Sequence, residues 1–248
     1  MSFSISQAVR ELAEPKLAKF TAKLLPTVDP VRILGVRTPA LRRLAKKLLR
    51  EHPQEVAEFM AAVPHDFQEE DLLHVLLLNE ERDFATWHAA ITSFLPYMTN
   101  WTLTDAVSPV YVKGRNAANL PQLERACLDW LVDDRVYVQR LGAVVLMSLL
   151  GTEYFSPEHL RAVAALAGSE EYYVRVAVAW YFAEALARQE TAALPWFALA
   201  NSSGSTDSPG LPAVTLRMAI TKAIESRRIP NEPKAGVRQI RSTLPRRS

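Results

Sequence analysis

The sequence holds one cysteine, eight glycines and no long apolar run in its 248 residues. The lone Cys127 cannot form an internal disulfide, and no Cys/His cluster is available to bind a structural zinc ion. The apolar runs are far shorter than the roughly 18 residues of a transmembrane helix, and the first residues lack the basic and apolar regions of a signal peptide. We therefore expect a cytoplasmic protein that needs no metal or other cofactor.

Several common catalytic motifs are also missing. The five histidines show no i, i+4 pairing and no HExxH spacing, so a catalytic metal site is not expected. The chain has no GxSxG nucleophile motif and no glycine-rich phosphate loop. These absences argue against serine hydrolases, zinc proteases and nucleoside triphosphatases.

The formal net charge is only +2, but the charges are distributed unevenly along the chain. Residues 32–50 contain seven Lys/Arg and no acid, residues 51–134 contain fifteen Asp/Glu against four Lys/Arg, and residues 217–248 contain nine Lys/Arg against two Glu. Two basic blocks that flank an acidic middle are typical of a protein that binds a polyanion. Solvated helix faces would give the same pattern, so charge alone does not decide.

Helical periodicity dominates the chain, while alternation of apolar and polar residues is hard to find. A helix is predicted from Thr38-Pro39 onward, where Thr can cap and Pro can occupy the first turn. The same i, i+3, i+4 recurrence predicts further helices over 67–78, 84–95, 120–132, 136–150, 157–166, 172–187, 191–200 and 213–226. We expect an all-α fold.

A weak internal repeat suggests how these helices are arranged. The segments YVQRLGAV from Tyr137 and YVRVAVAW from Tyr173 are offset by 36 residues, and one further step back reaches Trp101. Helix pairs that repeat near this period indicate an α-solenoid of antiparallel, HEAT-like pairs, in which each pair packs only on its neighbours. We predict one such domain over residues 1–248, with a surface loop at 201–212 and a basic, partly mobile tail at 230–248.

Four residues share one helical face when positions are counted from these repeat origins. They are Trp101 and Asp105 at offsets 0 and 4, Arg140 at offset 3 and Trp180 at offset 7. A carboxylate beside indole rings and a guanidinium suits a planar cationic ligand on an anionic backbone. The same offsets also describe a buried stripe, with tryptophans in the core and Asp105 and Arg140 as a structural ion pair.

Taken together, five segments resemble the AlkD-type DNA alkylation repair proteins, which are HEAT-like helical DNA glycosylases that excise N3- and N7-alkylated purines. The segments are ILGVRTPALRRLAKKL (33–48), TNWTLTDAV (99–107), YVQRLGAV (137–144), YYVRVAVAW (172–180) and LRMAITKAIES (216–226). The likeness extends over roughly residues 15–228. It implies that the partner is double-stranded DNA with cationic alkylpurine lesions. It also implies that the protein binds this DNA as a monomer and that no membrane is involved.

The resemblance also implies roles for individual residues. Trp101, Asp105 and Trp180 match the family's catalytic positions, where they would stabilise an oxocarbenium-like sugar while the lesion stays in the duplex rather than being extruded. DNA contacts are implied for Arg140, for Phe20 where the family has a tyrosine, and for basic residues of the two basic blocks, namely Arg37, Arg42, Arg43, Lys46 and Lys222.

The chain departs from the family pattern in ways that leave two alternatives open. Phe20 lacks the tyrosine hydroxyl, and Val176, Ala179 and Ala183 stand where active relatives have Lys, Gly and Arg. A DNA-binding relative without catalysis, which recognises DNA structure on the same scaffold, would tolerate these changes. A HEAT-type protein-interaction scaffold is the third possibility.

Overall fold

The computed structural model describes residues 3–109, 119–200 and 209–244, and within them it is all-α, as predicted. About 70% of these residues are helical, and no sheet is present among them. The α-helices of the described residues are α1 Ile5–Arg10, α2 Pro15–Leu24, α3 Thr38–Glu51, α4 Pro53–Ala61, α5 Gln68–Leu78, α6 Phe84–Phe94, α7 Trp101–Ala106, α8 Leu120–Leu131, α9 Val136–Leu146, α10 Pro157–Ala164, α11 Tyr172–Arg188, α12 Glu190–Ala193, α13 Ala213–Glu225 and α14 Asn231–Thr243. Short 3₁₀ turns occupy Pro30–Arg32, Leu95–Tyr97, Met147–Leu149 and Leu194–Trp196.

The chain divides into two compact units, Met1–Asn119 and Leu120–Ser248. In the first unit, α5 packs against α3, α6 and α7, and α4 packs against α1 and α3. Helix α3 begins at the predicted Thr38-Pro39 pair and buries Leu41, Ala45 and Leu48 at i, i+4, i+7 spacing. Its polar face therefore remains exposed. The single domain over 1–248 stays a prediction.

A buried polar cluster at the start of α5 holds the first unit together. Gln68, Glu69, Glu70 and Asp71 are all buried. The Glu69 carboxylate accepts hydrogen bonds from the backbone N–H groups of residues 34, 35 and 36, at 2.9, 2.7 and 3.2 Å. Because three donors and the α5 N-terminus surround it, this buried carboxylate is well compensated.

The neighbouring acids of this cluster bind other segments. Glu70 accepts from the backbone N–H groups of Asp66 and Phe67, both at 3.1 Å, and from the Ser6 hydroxyl of α1. Asp71 pairs with the Arg32 guanidinium at 3.0 Å. Burial raises the pKa of Asp71 to about 7, although Arg32 opposes that rise. The start of α5 thus connects α1 and the segment before α3.

In the second unit the helices pack in succession, as expected for stacked repeats. Helix α9 packs against α8 and α11, α11 packs against α13, and α13 packs against α14. Tyr137 and Tyr173, which the 36-residue offset aligns, are in contact, with ring centroids 5.8 Å apart. The HEAT-like repeat itself stays a prediction.

The helix predicted over 191–200 is wrong. The α-helix ends at Ala193 and a 3₁₀ turn follows at Leu194–Trp196. Pro195 explains the break, since it has no N–H to donate to a carbonyl of the preceding turn and its ring crowds that turn. After the turn, the chain bends at residues 197–198, and Leu199 forms an isolated bridge with Leu211.

Only parts of the predicted loop and of the predicted tail lie within the described residues. Residues 201–208 of the loop and 245–248 of the tail lie outside the described residues. The two ends of the loop pair with each other, since Leu211 N donates to Ala198 O at 2.8 Å. Most of the tail forms α14. Within the described ranges, no helix is long and apolar enough to cross a membrane.

Candidate functional site

Helix α7, which carries Trp101 and Asp105, starts at a buried amide pair. Asn100 caps the helix, and its Oδ1 accepts from the backbone N–H of Thr102 at 3.0 Å. Its Nδ2 donates to Gln68 Oε1 at 2.8 Å, and Gln68 Nε2 donates to the Thr102 hydroxyl at 2.8 Å. The buried start of α5 therefore determines where α7 begins.

The end of α7 is also fixed by a side-chain amide. Asn79, in the turn after α5, donates from Nδ2 to Ala106 O at 2.8 Å. Its Oδ1 accepts from Ser108 N at 2.7 Å. Asp105 is half-buried on this helix, and the Thr104 hydroxyl lies 3.2 Å from its Oδ1. The carboxylate is thus presented by a short helix that is held at both ends.

Trp101 packs against the N-terminal segment of the first unit. Its half-buried ring lies against a small apolar cluster of Leu25, Val28 and Ile33. The indole Nε1 donates to the Leu24 carbonyl at 3.1 Å. The alternative in which Trp101 is a core residue is therefore correct in part, because its ring packs on the apolar cluster and its one N–H donor bonds the backbone.

A cavity of about 360 Å³ lies beside Trp101. Phe20, the position that matches the family's tyrosine, is 58% exposed on α2, and Leu24 one turn later is also exposed. Arg37 lines the cavity but is held by Glu14 through two hydrogen bonds of 2.8 and 3.0 Å. This contact raises the pKa of Arg37 and lowers that of Glu14. The cavity walls come mainly from α2, the start of α3 and the start of α5.

The basic face of α3 lies next to the end of α7. Arg42, Arg43 and Lys46 are exposed, as a DNA-contacting face requires. Arg42 and Lys46 line a second cavity of about 120 Å³ together with Asn79 and Ser108, and Glu80 contributes one acid to it. The structure thus brings two of the predicted DNA-binding cations to the residues that fix the Asp105 helix.

The other predicted site residues lie in the second unit. Arg140 is only 3% exposed, and its Nη1 donates to Tyr173 O at 2.8 Å. The guanidinium therefore links α9 to α11, which is a structural role. Its predicted contact with a phosphate stays a prediction. Lys222 is half-buried on α13.

Trp180 is half-buried on α11, one turn before an acid that the sequence analysis missed. Glu184 accepts from Arg228 Nη1 at 2.7 Å, and Arg188 Nε lies 3.6 Å from the same carboxylate oxygen. The sequence did contain a signal, since Trp180 and Glu184 repeat the Trp-x-x-x-acid spacing of Trp101 and Asp105. Ala179 and Ala183, two of the departures from the family pattern, are buried.

Two buried histidines, His65 and His74, form the centre of an aromatic cluster in the first unit. His65 Nε2 lies 2.9 Å from His74 Nδ1, so one ring donates to the other. The Phe59 ring stacks on His65 at 4.2 Å and the Phe94 ring stacks on His74 at 4.0 Å between centroids. Burial lowers the pKa of His65 and lowers that of His74 to about 3, because the imidazolium loses its hydration.

We expect this histidine pair to make the fold sensitive to acid. Below the unfolded pKa of about 6.5, the unfolded chain protonates position 74 and the folded chain does not, so stability falls as the pH falls toward about 3. One such group changes the free energy of unfolding by up to ~1.4 kcal/mol per pH unit. Urea unfolding between pH 7.5 and 4.5 should show a shallower fall for His74→Gln than for the wild type.

The comparison between variants is needed because Asp71 acts in the opposite direction. Its folded pKa of about 7 is above the unfolded value, so its contribution to stability is largest in acid and is lost as the pH rises through 7. His88→Gln, at a half-exposed position, is the control and should keep the wild-type slope. An equal fall in the wild type and His74→Gln would contradict the assignment.

The described residues contain no group of three or more potential metal ligands. The only cysteine is buried, and burial raises the pKa of its thiol.

Comparison with known proteins identifies one family. The sequence model of one family, described as DNA alkylation repair enzyme, matches residues 5–223. No curated protein matches the chain.

Proposed function

Because the chain belongs to the DNA alkylation repair enzyme family, we propose that it hydrolyses the N-glycosidic bond of N3- and N7-alkylated purines in duplex DNA without base flipping. The observation that carries this proposal is the position of Asp105. Its helix is held at both ends by buried amides, and its C-terminal end lies at the cavity lined by Arg42 and Lys46. In this proposal Arg42 and Lys46 hold backbone phosphates, and the carboxylate of the helix that ends near their cavity acts on the sugar.

The reaction follows from the charge of the lesion. An alkylated purine is already cationic, so when its bond to C1′ breaks, the bonding electron pair neutralises the departing base. The positive charge moves to the sugar, where the Asp105 carboxylate stabilises it. Water then adds to C1′ and releases its proton to solvent. The ring of Trp101, on the same helix as Asp105, would add cation–π stabilisation of the charged nucleotide.

No residue is needed to protonate the leaving base, and this gives a test. We expect the purified chain to release 7-methylguanine, which leaves as a neutral base, and not hypoxanthine, which would need protonation. The measurement is the free base released from two duplex oligonucleotides that differ only in this one nucleotide, resolved by chromatography. Release of both bases at similar rates would contradict the mechanism, because it would require a general acid.

A second candidate is a DNA-binding relative that does not catalyse excision. The contacts of Trp101 favour it, because the indole N–H bonds Leu24 O and the ring packs on the N-terminal segment. Such a protein would bind duplex DNA in a salt-dependent way and release neither base. The family match argues against the third possibility, a scaffold that binds only proteins.

A further inference from the structure

Helix α14, Asn231–Thr243, lies beyond the residues that match the family. It is amphipathic and docked. Pro233 and Val237 are buried, and the helix packs against α13, Ala213–Glu225. The match ends at residue 223, so the family model does not cover α14.

The outer side of α14 carries a line of cations. Lys234, Arg238 and Arg241 stand at i, i+4, i+7 spacing, which places them on one face. Arg238 and Arg241 are exposed and Lys234 is half-buried. None of the three has a carboxylate within ion-pair distance among the described residues. The only acid of the helix is Glu232, in the first turn, where the helix dipole favours it.

An ion pair anchors this helix beside the one that carries Trp180. Arg228, two residues before the Pro230 cap of α14, bonds Glu184 at 2.7 Å. Glu184 lies one turn after Trp180 on α11, and residues at this spacing share a helix face. The segment that leads into α14 is therefore bound to the helix that carries Trp180.

We propose that Lys234, Arg238 and Arg241 of α14 form a binding surface for the phosphodiester backbone of duplex DNA. The proposal rests on the proposed function, since it takes the partner to be DNA. The three cations span about 10 Å of helix axis. Duplex DNA carries about one negative charge per 1.7 Å of its axis, so three phosphates lie within reach of such a face. Backbone contacts of this kind hold DNA without reading its sequence.

The test is the salt dependence of binding to an unmodified duplex. Each phosphate contact contributes roughly 0.9 to the slope of log K against log salt, so the full-length triple variant Lys234→Ala, Arg238→Ala, Arg241→Ala should lower that slope by up to about 3. The control triple Arg82→Ala, Arg125→Ala, Arg161→Ala removes the same charge from exposed positions elsewhere. It should keep the wild-type slope. Helical circular dichroism checks the fold of both variants.

A conservative variant separates charge from structure. Arg238→Lys with Arg241→Lys keeps both charges and should keep the wild-type slope. The proposal is overturned if the α14 triple variant has the slope of the control triple while the wild type binds DNA, and in that case the proposed function stands. Failure of the wild type to bind duplex DNA at all would overturn both. If α14 instead served an acidic protein surface, the first of these outcomes would be observed.

Discussion

Replacing Asp105 by asparagine is expected to slow release of 7-methylguanine by at least about 100-fold, which is typical when one electrostatic stabiliser of a transition state is removed. Asparagine keeps the shape of the side chain and an oxygen that can accept from the Thr104 hydroxyl, now 3.2 Å away. It removes the negative charge that would stabilise the sugar cation. Affinity for duplex DNA should stay within about twofold, because no phosphate-binding cation changes.

The measurement is the single-turnover rate on a duplex with one 7-methylguanine, beside a gel-shift titration. Asp129→Asn is the matched control, since it makes the same substitution at an exposed position of α8, and it should retain the wild-type rate. If Asp105→Asn excised the lesion as fast as the wild type, the carboxylate would have no part in the chemistry.

Replacing Gly35 by alanine is expected to lower the free energy of unfolding by about 3 kcal/mol, from left-handed backbone strain of about 1–2 kcal/mol plus overpacking of about 1–3 kcal/mol. Gly35 has a φ of 77°, and a Cβ there would lie 2.3 Å from Ala18 N and 2.5 Å from Glu14 O. Both are backbone atoms that cannot move independently. Any shift of residue 35 would also disturb its 2.7 Å bond to Glu69.

Urea unfolding followed by helical circular dichroism measures this loss. Gly236→Ala is the matched control. This glycine lies inside α14, and apart from its chain neighbours and the backbone of its own helix, no described atom lies within 4 Å of the Cβ it would gain. Alanine there should raise helix stability by about 0.5–1 kcal/mol. Equal stability of Gly35→Ala and the wild type would show that the close approach of α2 to residue 35 is not required.

The sequence predicted the fold class well because buried helices leave a periodic signal. The start of α3 at Thr38 is one example. The contact between Tyr137 and Tyr173 joins two residues that the 36-residue offset aligned. Periodicity could not place the helix end at Ala193, because the apolar pattern continues through Pro195 while the backbone does not. Periodicity also did not predict helix α14 within the basic tail, because this helix buries only Pro233 and Val237 and so leaves a weak apolar pattern.

The sequence predicted which helices carry the candidate site residues, but it did not predict the contacts of those residues. Spacing placed Trp101 and Asp105 on one helix, and α7 carries both. Nothing in the spacing showed that Gln68 and Asn79 hold that helix, because both contacts join residues about thirty positions apart. The burial of Arg140 depends likewise on α11, which packs over it. Tertiary packing decides such features.

The most direct test of the central claim is release of free 7-methylguanine and 3-methyladenine from methylated duplex DNA by the full chain. We predict release of both bases above the spontaneous rate measured without protein. Retained binding of the duplex with no release above that spontaneous rate would contradict the claim. The chain would then be a DNA-binding member of its family without the reaction.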